Sequence, residues 1–179
     1  HTINWEKENA NKTQLVFIPE KEKKISAIVA CYKDNQSIPI LYEELTKVFK
    51  KVKYDYEIIF VNDSSPYNDE HVIAELCNKD NHVIGISHSR NFGSQSAFVS
   101  GMELSSGDAV VLLDGDGQDP PAIISEFVSK WEEGNDVVYG QRIKRKAPLY
   151  MQLFYKLFYR VFRKLSEVSI PVDAGDFSL

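Results

Sequence analysis

Two rhythms of apolar positions alternate along the chain. Short apolar runs at residues 25–30, 56–61, 82–87, 110–113 and 136–141 have the length of buried strands. Between them, residues 37–52, 69–78, 94–105 and 121–133 follow helical spacing; Leu41, Leu45, Val48, Phe49 and Val52, for example, fall on one helical face. Ser37 stands where an N-cap is expected, Pro39 falls in the first turn, and Asp69 is placed to cap the second helix. This β-α-β-α order predicts a mainly parallel, twisted α/β sheet with right-handed crossovers and helices on both faces. In such sheets ligands bind beyond the carboxyl ends of the strands.

Three regions divide the chain: a polar extension at 1–24, a core at 25–146 and a C-terminal segment at 147–179. Within the last, Leu149, Leu153, Phe154, Leu157, Phe158, Val161, Phe162 and Leu165 form one apolar stripe, with Lys156, Arg160, Arg163 and Lys164 off it and Tyr150, Tyr155 and Tyr159 flanking it. The pattern suits a helix in a membrane interface. It also suits a helix packed on the domain or on a second subunit, and periodicity alone favours that packing.

Charge sharpens the division. Residues 1–141 carry 13 Lys/Arg against 23 Asp/Glu, net −10, whereas residues 142–179 carry 8 against 3, net +5. An acidic body argues against general nucleic-acid binding, while the basic tail leaves room for a phosphate or an anionic membrane surface. The 179 residues suit one domain. No apolar run reaches the roughly 18 residues of a membrane span. The only cysteines, Cys31 and Cys77, have no metal-ligand spacing and suggest a reducing compartment. Neither G-x-G-x-x-G nor G-x-x-x-x-G-K-[ST] occurs, which disfavours dinucleotide oxidoreductases and P-loop enzymes.

The chemistry concentrates at residues 109–121, AVVLLDGDGQDPP. Asp114 and Asp116 are two apart at a strand end, so both carboxylates can face one point. A hard divalent cation, with its other positions open to phosphate oxygens, suits that pair. Asp116 is the first-choice ligand, Asp114 meets the ribose or the cation, and Gln118 is a weaker ligand. Asp119 stands before Pro120 and Pro121 as a cap for the next helix. Asp63, ending the second strand, is placed to accept a hydrogen bond from a base N–H. Arg90, Arg142 and Arg145 are candidate phosphate contacts, because guanidinium binds phosphate in a bidentate manner. The four histidines show no metal spacing and no nucleophile partner, and no chemistry is assigned to them.

Taken together, SAIVACYKDN at 26–35, EIIFVNDSS at 57–65, SRNFGSQSA at 89–97, VVLLDGDGQDPP at 110–121, GQRIKR at 140–145 and DAGDFSL at 173–179 resemble a family 2 glycosyltransferase of the GT-A fold. SRNFG, QDPP and GDF are similar to the branch that loads sugars onto polyprenyl phosphates, which includes dolichyl-phosphate mannose synthases and bacterial undecaprenyl-phosphate glycosyltransferases. The resemblance implies a Rossmann-like core for nucleotide-diphosphate sugars and an inverting transfer from a UDP- or GDP-sugar to a polyprenyl phosphate. It places Ala30, Cys31, Tyr32, Asp63, Arg90 and Asp114 around the nucleotide-sugar. Mg²⁺ or Mn²⁺ would be held by Asp114, Asp116 and Gln118. Arg142 and Arg145 would meet the acceptor phosphate, and Asp176 would lie near the sugar. Asp116, Asp176 and Arg142 form the expected catalytic set.

The same resemblance shifts the weighting for 147–166 toward a membrane surface. It implies a longer parent at the cytoplasmic face of a membrane, this chain itself being soluble, with a homo-oligomer left open. Gly115 and Gly117 differ from the branch's alanine- and leucine-type residues, and Ser178 stands where the family often has Arg. Three other readings stay open: transfer to a saccharide in cell-surface polysaccharide assembly, a nucleotidyltransferase, and a non-enzymatic module.

Overall fold

The structure, a computed structural model, describes residues 23–141 and 174–179. The polar extension, Arg142, Arg145 and the amphipathic stretch 147–166 therefore lie outside the described residues, as does most of the C-terminal segment.

The elements run β1 (Lys24–Cys31), α1 (Ser37–Phe49), β2 (Asp55–Asn62), α2 (Asp69–Lys79), β3 (Val83–Ser87), α3 (Ser94–Leu104), β4 (Ala109–Asp114), a 3₁₀ turn (Pro121–Ile123), α4 (Ile124–Glu132), β5 (Tyr139–Gln141) and β6 (Ala174–Ser178). Their order across the sheet is β3-β2-β1-β4-β6-β5. β1 pairs parallel with β2 and β4, and β2 pairs parallel with β3. β6 runs antiparallel to both β4 and β5. The expected mainly parallel α/β sheet is present, and β6 is the strand the apolar pattern does not announce.

The central strands are near-continuous apolar runs because both faces are covered. Along β1, Ile25, Ala27, Val29 and Cys31 enter the core with α1, α2 and α4, while Ile28 and Ala30 turn to the opposite face beneath Ala97 and Phe98 of α3. Ile58 and Phe60 against Ile59 and Val61 repeat the alternation on β2. Helices thus lie on both faces. Full burial of one such side chain contributes about 1.5–3 kcal/mol, so the central strands hold the frame on which the loops are mounted.

Three element boundaries differ from the sequence pattern. Ser37 is the first residue of α1 and not its cap; the cap position is Gln36. Asp69 opens α2 but caps nothing, since no side chain caps that helix. Residues 136–138 stay outside β5, because the partner β6 is short and the ladder ends in a reciprocal pair between Val138 and Leu179, each N–H 2.7 Å from the other's carbonyl.

At the end of the sheet away from the loops of interest, a buried carboxylate ties β1, β2 and the α3–β4 connection. Ser26 Oγ and Ser106 N–H each donate to Glu57 Oε1 at 2.6 Å, and Ser106 Oγ donates to Oε2 at 2.8 Å. Lys24 Nζ lies 2.7 Å from Oε2. Burial by itself would raise the Glu57 pKa, but these donors outweigh it and bring it from 4.5 down to about 2. A folded-state value below the unfolded one means that the contribution is present above pH 4.5 and is lost as pH falls toward 2. Glu57→Ala should cost about 3 kcal/mol at neutral pH, as expected when one partner of a buried pair is removed. Urea unfolding at pH 7 and pH 3 checks this: the deficit should shrink at the lower pH.

Candidate functional site

The loops after β1, β2, β3 and β4 meet at one end of the sheet, over the point between β1 and β4 where connections diverge to opposite sides. They enclose a cleft of about 290 Å³. Ala30 and Cys31 end β1 and Tyr32 and Asp34 follow it, Asp63 follows β2, Asn91 and Gly93 precede Ser94 at the start of α3, and Asp114 ends β4 ahead of Gly115 and Asp116. Five residues singled out in the sequence, Ala30, Cys31, Tyr32, Asp63 and the pair-leading Asp114, are thus brought together with Asp116. Arg90 and Gln118 are exposed and stand outside this lining; the Arg90 guanidinium packs 4.7 Å from the Phe92 ring centroid.

Asp63 is buried, its carboxylate turned to the third loop. Phe92 N–H donates to Oδ1 at 2.9 Å and Gly93 N–H donates to Oδ2 at 2.7 Å. His88 Nδ1 lies 2.8 Å from Oδ1. Burial acts to raise its pKa, yet these three donors together hold it below the usual carboxylate value. The carboxylate is therefore ionised and fixes residues 92–93 against the cleft. Gly93 adopts φ +92°, a conformation that glycine takes without strain and that lets its N–H reach Asp63.

The first loop is fixed by two acids, Asp34 and Asp69, that the sequence did not place in the site. Asp34 Oδ2 accepts from Tyr32 N–H at 2.8 Å, and Asp34 N–H donates to Asp69 Oδ2 at 2.8 Å. Asp69 is fully buried, and its Oδ1 has no hydrogen-bond partner among the described residues. The Ser37 hydroxyl sits 3.0 Å from Asp34 O and 2.7 Å from Gly115 O, joining the start of α1 to the acidic turn. Asp34's pKa is raised, first by burial and then by Asp69 and Asp116, with the Tyr32 N–H opposing. Burial, followed by Asp34, Asp69 and Asp114, pushes the Cys31 thiol well above its ordinary value. Cys31 is therefore a neutral wall of the cleft and no nucleophile.

In the fourth loop, Asp116 is exposed and one of its oxygens accepts from Gln118 N–H at 2.9 Å. Gln118 thus contributes a backbone donor to the turn. The N-cap position of the helical turn that follows is Pro120, one residue beyond the buried Asp119. Among the described residues, no three His, Cys, Asp or Glu side chains converge closely enough to hold a metal ion by themselves. The donor chemistry that is present, carboxylates on one rim of a cleft, fits a hard cation that draws its remaining ligands from a bound phosphate. β6 carries the GDF motif beside β4, where Ser178 pairs opposite Leu112 in antiparallel register.

Gly115 is the tightest point. A methyl group there would stand 2.8 Å from Asp34 Oδ2, 2.9 Å from Ala30 O and 3.1 Å from Cys31 Sγ. The strand carbonyl cannot retreat without breaking its bond from Gly115 N–H, 2.8 Å long. Gly115→Ala should therefore cost about 1–3 kcal/mol, the range for overpacking. It should also displace the acidic turn. Thermal melting with nucleotide titration checks both effects, and about tenfold weaker nucleotide binding is expected.

The profile of glycosyl transferase family 2 matches residues 26–175. The chain belongs to that family. Among its family 2 relatives, "Uncharacterized glycosyltransferase YkcC" of Bacillus subtilis (strain 168) is 39% identical over 158 residues, covering 86% of this chain and 48% of the relative. "Bactoprenol glucosyl transferase" of Shigella phage SfV is 34% identical over 164 residues, covering 87% and 51%. This family 2 chain spans about half the length of the curated relatives it matches. Mannosyl-3-phosphoglycerate synthase from Rubrobacter xylanophilus shares the fold at a TM-score of 0.60 and 16% identity, covering 80% of this chain and 49% of that one. Mannosyltransferase PcManGT from Pyrobaculum calidifontis, solved with GDP-Man and Mn²⁺, does so at 0.51 and 18%, covering 81% and 40%. The GT-A architecture expected from the motifs is the one observed. Among the described residues, no helix is long and apolar enough to cross a membrane.

Proposed function

We propose that this chain carries the donor-binding half of an inverting glycosyltransferase that moves a sugar from a nucleotide-diphosphate sugar to a polyprenyl phosphate. The observation that carries the reading is the convergence of Asp63, Asp114 and Asp116 on one cleft at the switch point of a family 2 fold. The likeness to a bactoprenol glucosyl transferase supports the lipid acceptor.

In this reading Asp63 accepts from a base N–H while it holds the third loop in place. Asp114 and Asp116 hold Mg²⁺ or Mn²⁺ against the diphosphate, with Gln118 nearby. When bound, the cation neutralises the charge that develops on the leaving diphosphate. Ala30, Cys31 and Tyr32 wall the nucleotide, and Arg90 approaches the donor from the third loop. Arg142 and Arg145 are assigned to the acceptor phosphate and Asp176 to the sugar. A phosphate acceptor is already anionic at neutral pH, so no strong base is required. One acceptor oxygen forms a bond to the anomeric carbon as the bond to the diphosphate breaks on the opposite face, which inverts the configuration. The protein's part is to align the two and exclude water. We assign residues 147–166 to the membrane surface where the lipid phosphate is presented, at the cytoplasmic face.

Calorimetric titration of UDP and GDP, with and without Mn²⁺, tests the donor site. One nucleotide should bind in a metal-dependent manner. An assay of sugar transfer to polyprenyl phosphate then tests the acceptor. Absence of binding by a folded sample would sink the donor-site reading.

A further inference from the structure

His88 carries no role in the family motifs quoted above, yet it is the side chain most closely engaged with Asp63. It follows β3 directly, and its N–H donates to Asn62 O at 2.9 Å, so the backbone is fixed by the sheet. Its ring is only 11% exposed. Nδ1 lies 2.8 Å from Asp63 Oδ1 and Nε2 lies 2.9 Å from Ser100 Oγ on α3. An ionised carboxylate can only accept, so Nδ1 carries the proton, and in the neutral ring Nε2 accepts from the Ser100 hydroxyl. The Phe92 ring packs edge-on against the imidazole, with centroids 5.5 Å apart.

The two oxygens of Asp63 are consequently unequal. Among the described residues, Oδ1 receives two donors, His88 Nδ1 and Phe92 N–H, whereas Oδ2 receives Gly93 N–H alone. A carboxylate oxygen has room for about two donors, which leaves the open position on Oδ2. We propose that His88 is a positioning residue of the nucleotide cleft: braced by Ser100, it locks the Asp63 carboxylate so that Oδ2 is the oxygen offered to the ligand. Without that brace the carboxylate can rotate about its terminal bond, and the acceptor and the 92–93 loop lose their common orientation. The inference rests on the reading of the cleft as a nucleotide site.

The two ring nitrogens can be mimicked separately. In H88N the amide nitrogen falls where Nδ1 stood and keeps the donor to Asp63, whereas in H88Q the longer side chain reaches toward Ser100 and gives up that donor. Titration of UDP and GDP in the presence of Mn²⁺ should leave the preferred nucleotide within about threefold of wild-type affinity in H88N. In H88Q it should bind at least tenfold more weakly, with both variants melting within a few degrees of each other. Wild-type affinity in H88Q, or equal weakening in both variants in step with their melting temperatures, overturns the proposal and reduces His88 to packing. No binding of either nucleotide by wild type overturns the donor-site reading and this inference with it. Ring ¹⁵N chemical shifts of the wild-type chain give a second readout that needs no variant to fold. A ring protonated at Nδ1 is expected, and protonation at Nε2 alone overturns the proposal.

Discussion

Asp63→Ala should abolish measurable nucleotide binding and cost the fold about 3 kcal/mol. Three donors converge on this carboxylate: Phe92 N–H, Gly93 N–H and His88 Nδ1. An unsatisfied buried donor costs about 1–3 kcal/mol, and water entering from the open cleft relieves part of that sum. The same truncation removes the proposed base acceptor and frees the third loop, so binding suffers twice. Asp63→Asn separates the two effects. It keeps the shape but turns an NH₂ group toward an N–H donor, so the loop is weakened without a cavity. We expect at least a tenfold rise in nucleotide Kd for Asn and a smaller stability loss than for Ala. Titration with thermal melting on both variants checks this. Unchanged binding in Asp63→Ala would remove Asp63 from the site.

Asp116→Ala should act in the opposite manner, with a large functional loss and almost none in stability. Asp116 is exposed, and the one bond its carboxylate makes among the described residues, from Gln118 N–H, is readily replaced by water. Surface substitutions of that kind stay within about 0.5 kcal/mol. Its carboxylate is nevertheless our first-choice ligand for the cation on the donor diphosphate. Nucleotide affinity in Mn²⁺ should fall to the metal-free level. Sugar transfer should drop at least 100-fold, the scale expected when charge stabilisation at a leaving group is lost. Equal metal dependence in wild type and Asp116→Ala would move the cation elsewhere. The contrast matters: Asp63 holds structure and site together, whereas Asp116 is held by a turn that survives without it.

The site was only partly legible before folding. Asp114 and Asp116 announce themselves because their i, i+2 spacing follows a buried strand and gives one local geometry. Asp34, Asp69 and His88 do not, because each is an ordinary polar residue whose role is set by a group far away in the chain. Asp34 N–H finds Asp69 from 35 residues away, and His88 finds Asp63 from 25 residues away. No spacing rule within a single loop encodes those pairs. Spacing assigns the histidines no chemistry, and the contact of His88 with Asp63 is visible only in the fold. Ser37 was misread in a similar way: a Ser before a helix resembles a cap, but its hydroxyl is drawn to the Gly115 carbonyl on another strand's loop.

The sequence by itself determined the β-α-β-α order, the two-sided burial of the central strands and the family, since these follow from local apolar rhythm and from motifs at strand ends. Tertiary structure alone decided that Ala174–Ser178 becomes a strand between β4 and β5, because a short run containing glycine and aspartate has no strand signal until a partner edge is offered. It also decided the acid and histidine brace beneath the cleft. That brace depends on which loop ends the parallel register brings side by side, and adjacency across a sheet is a property of the assembled fold.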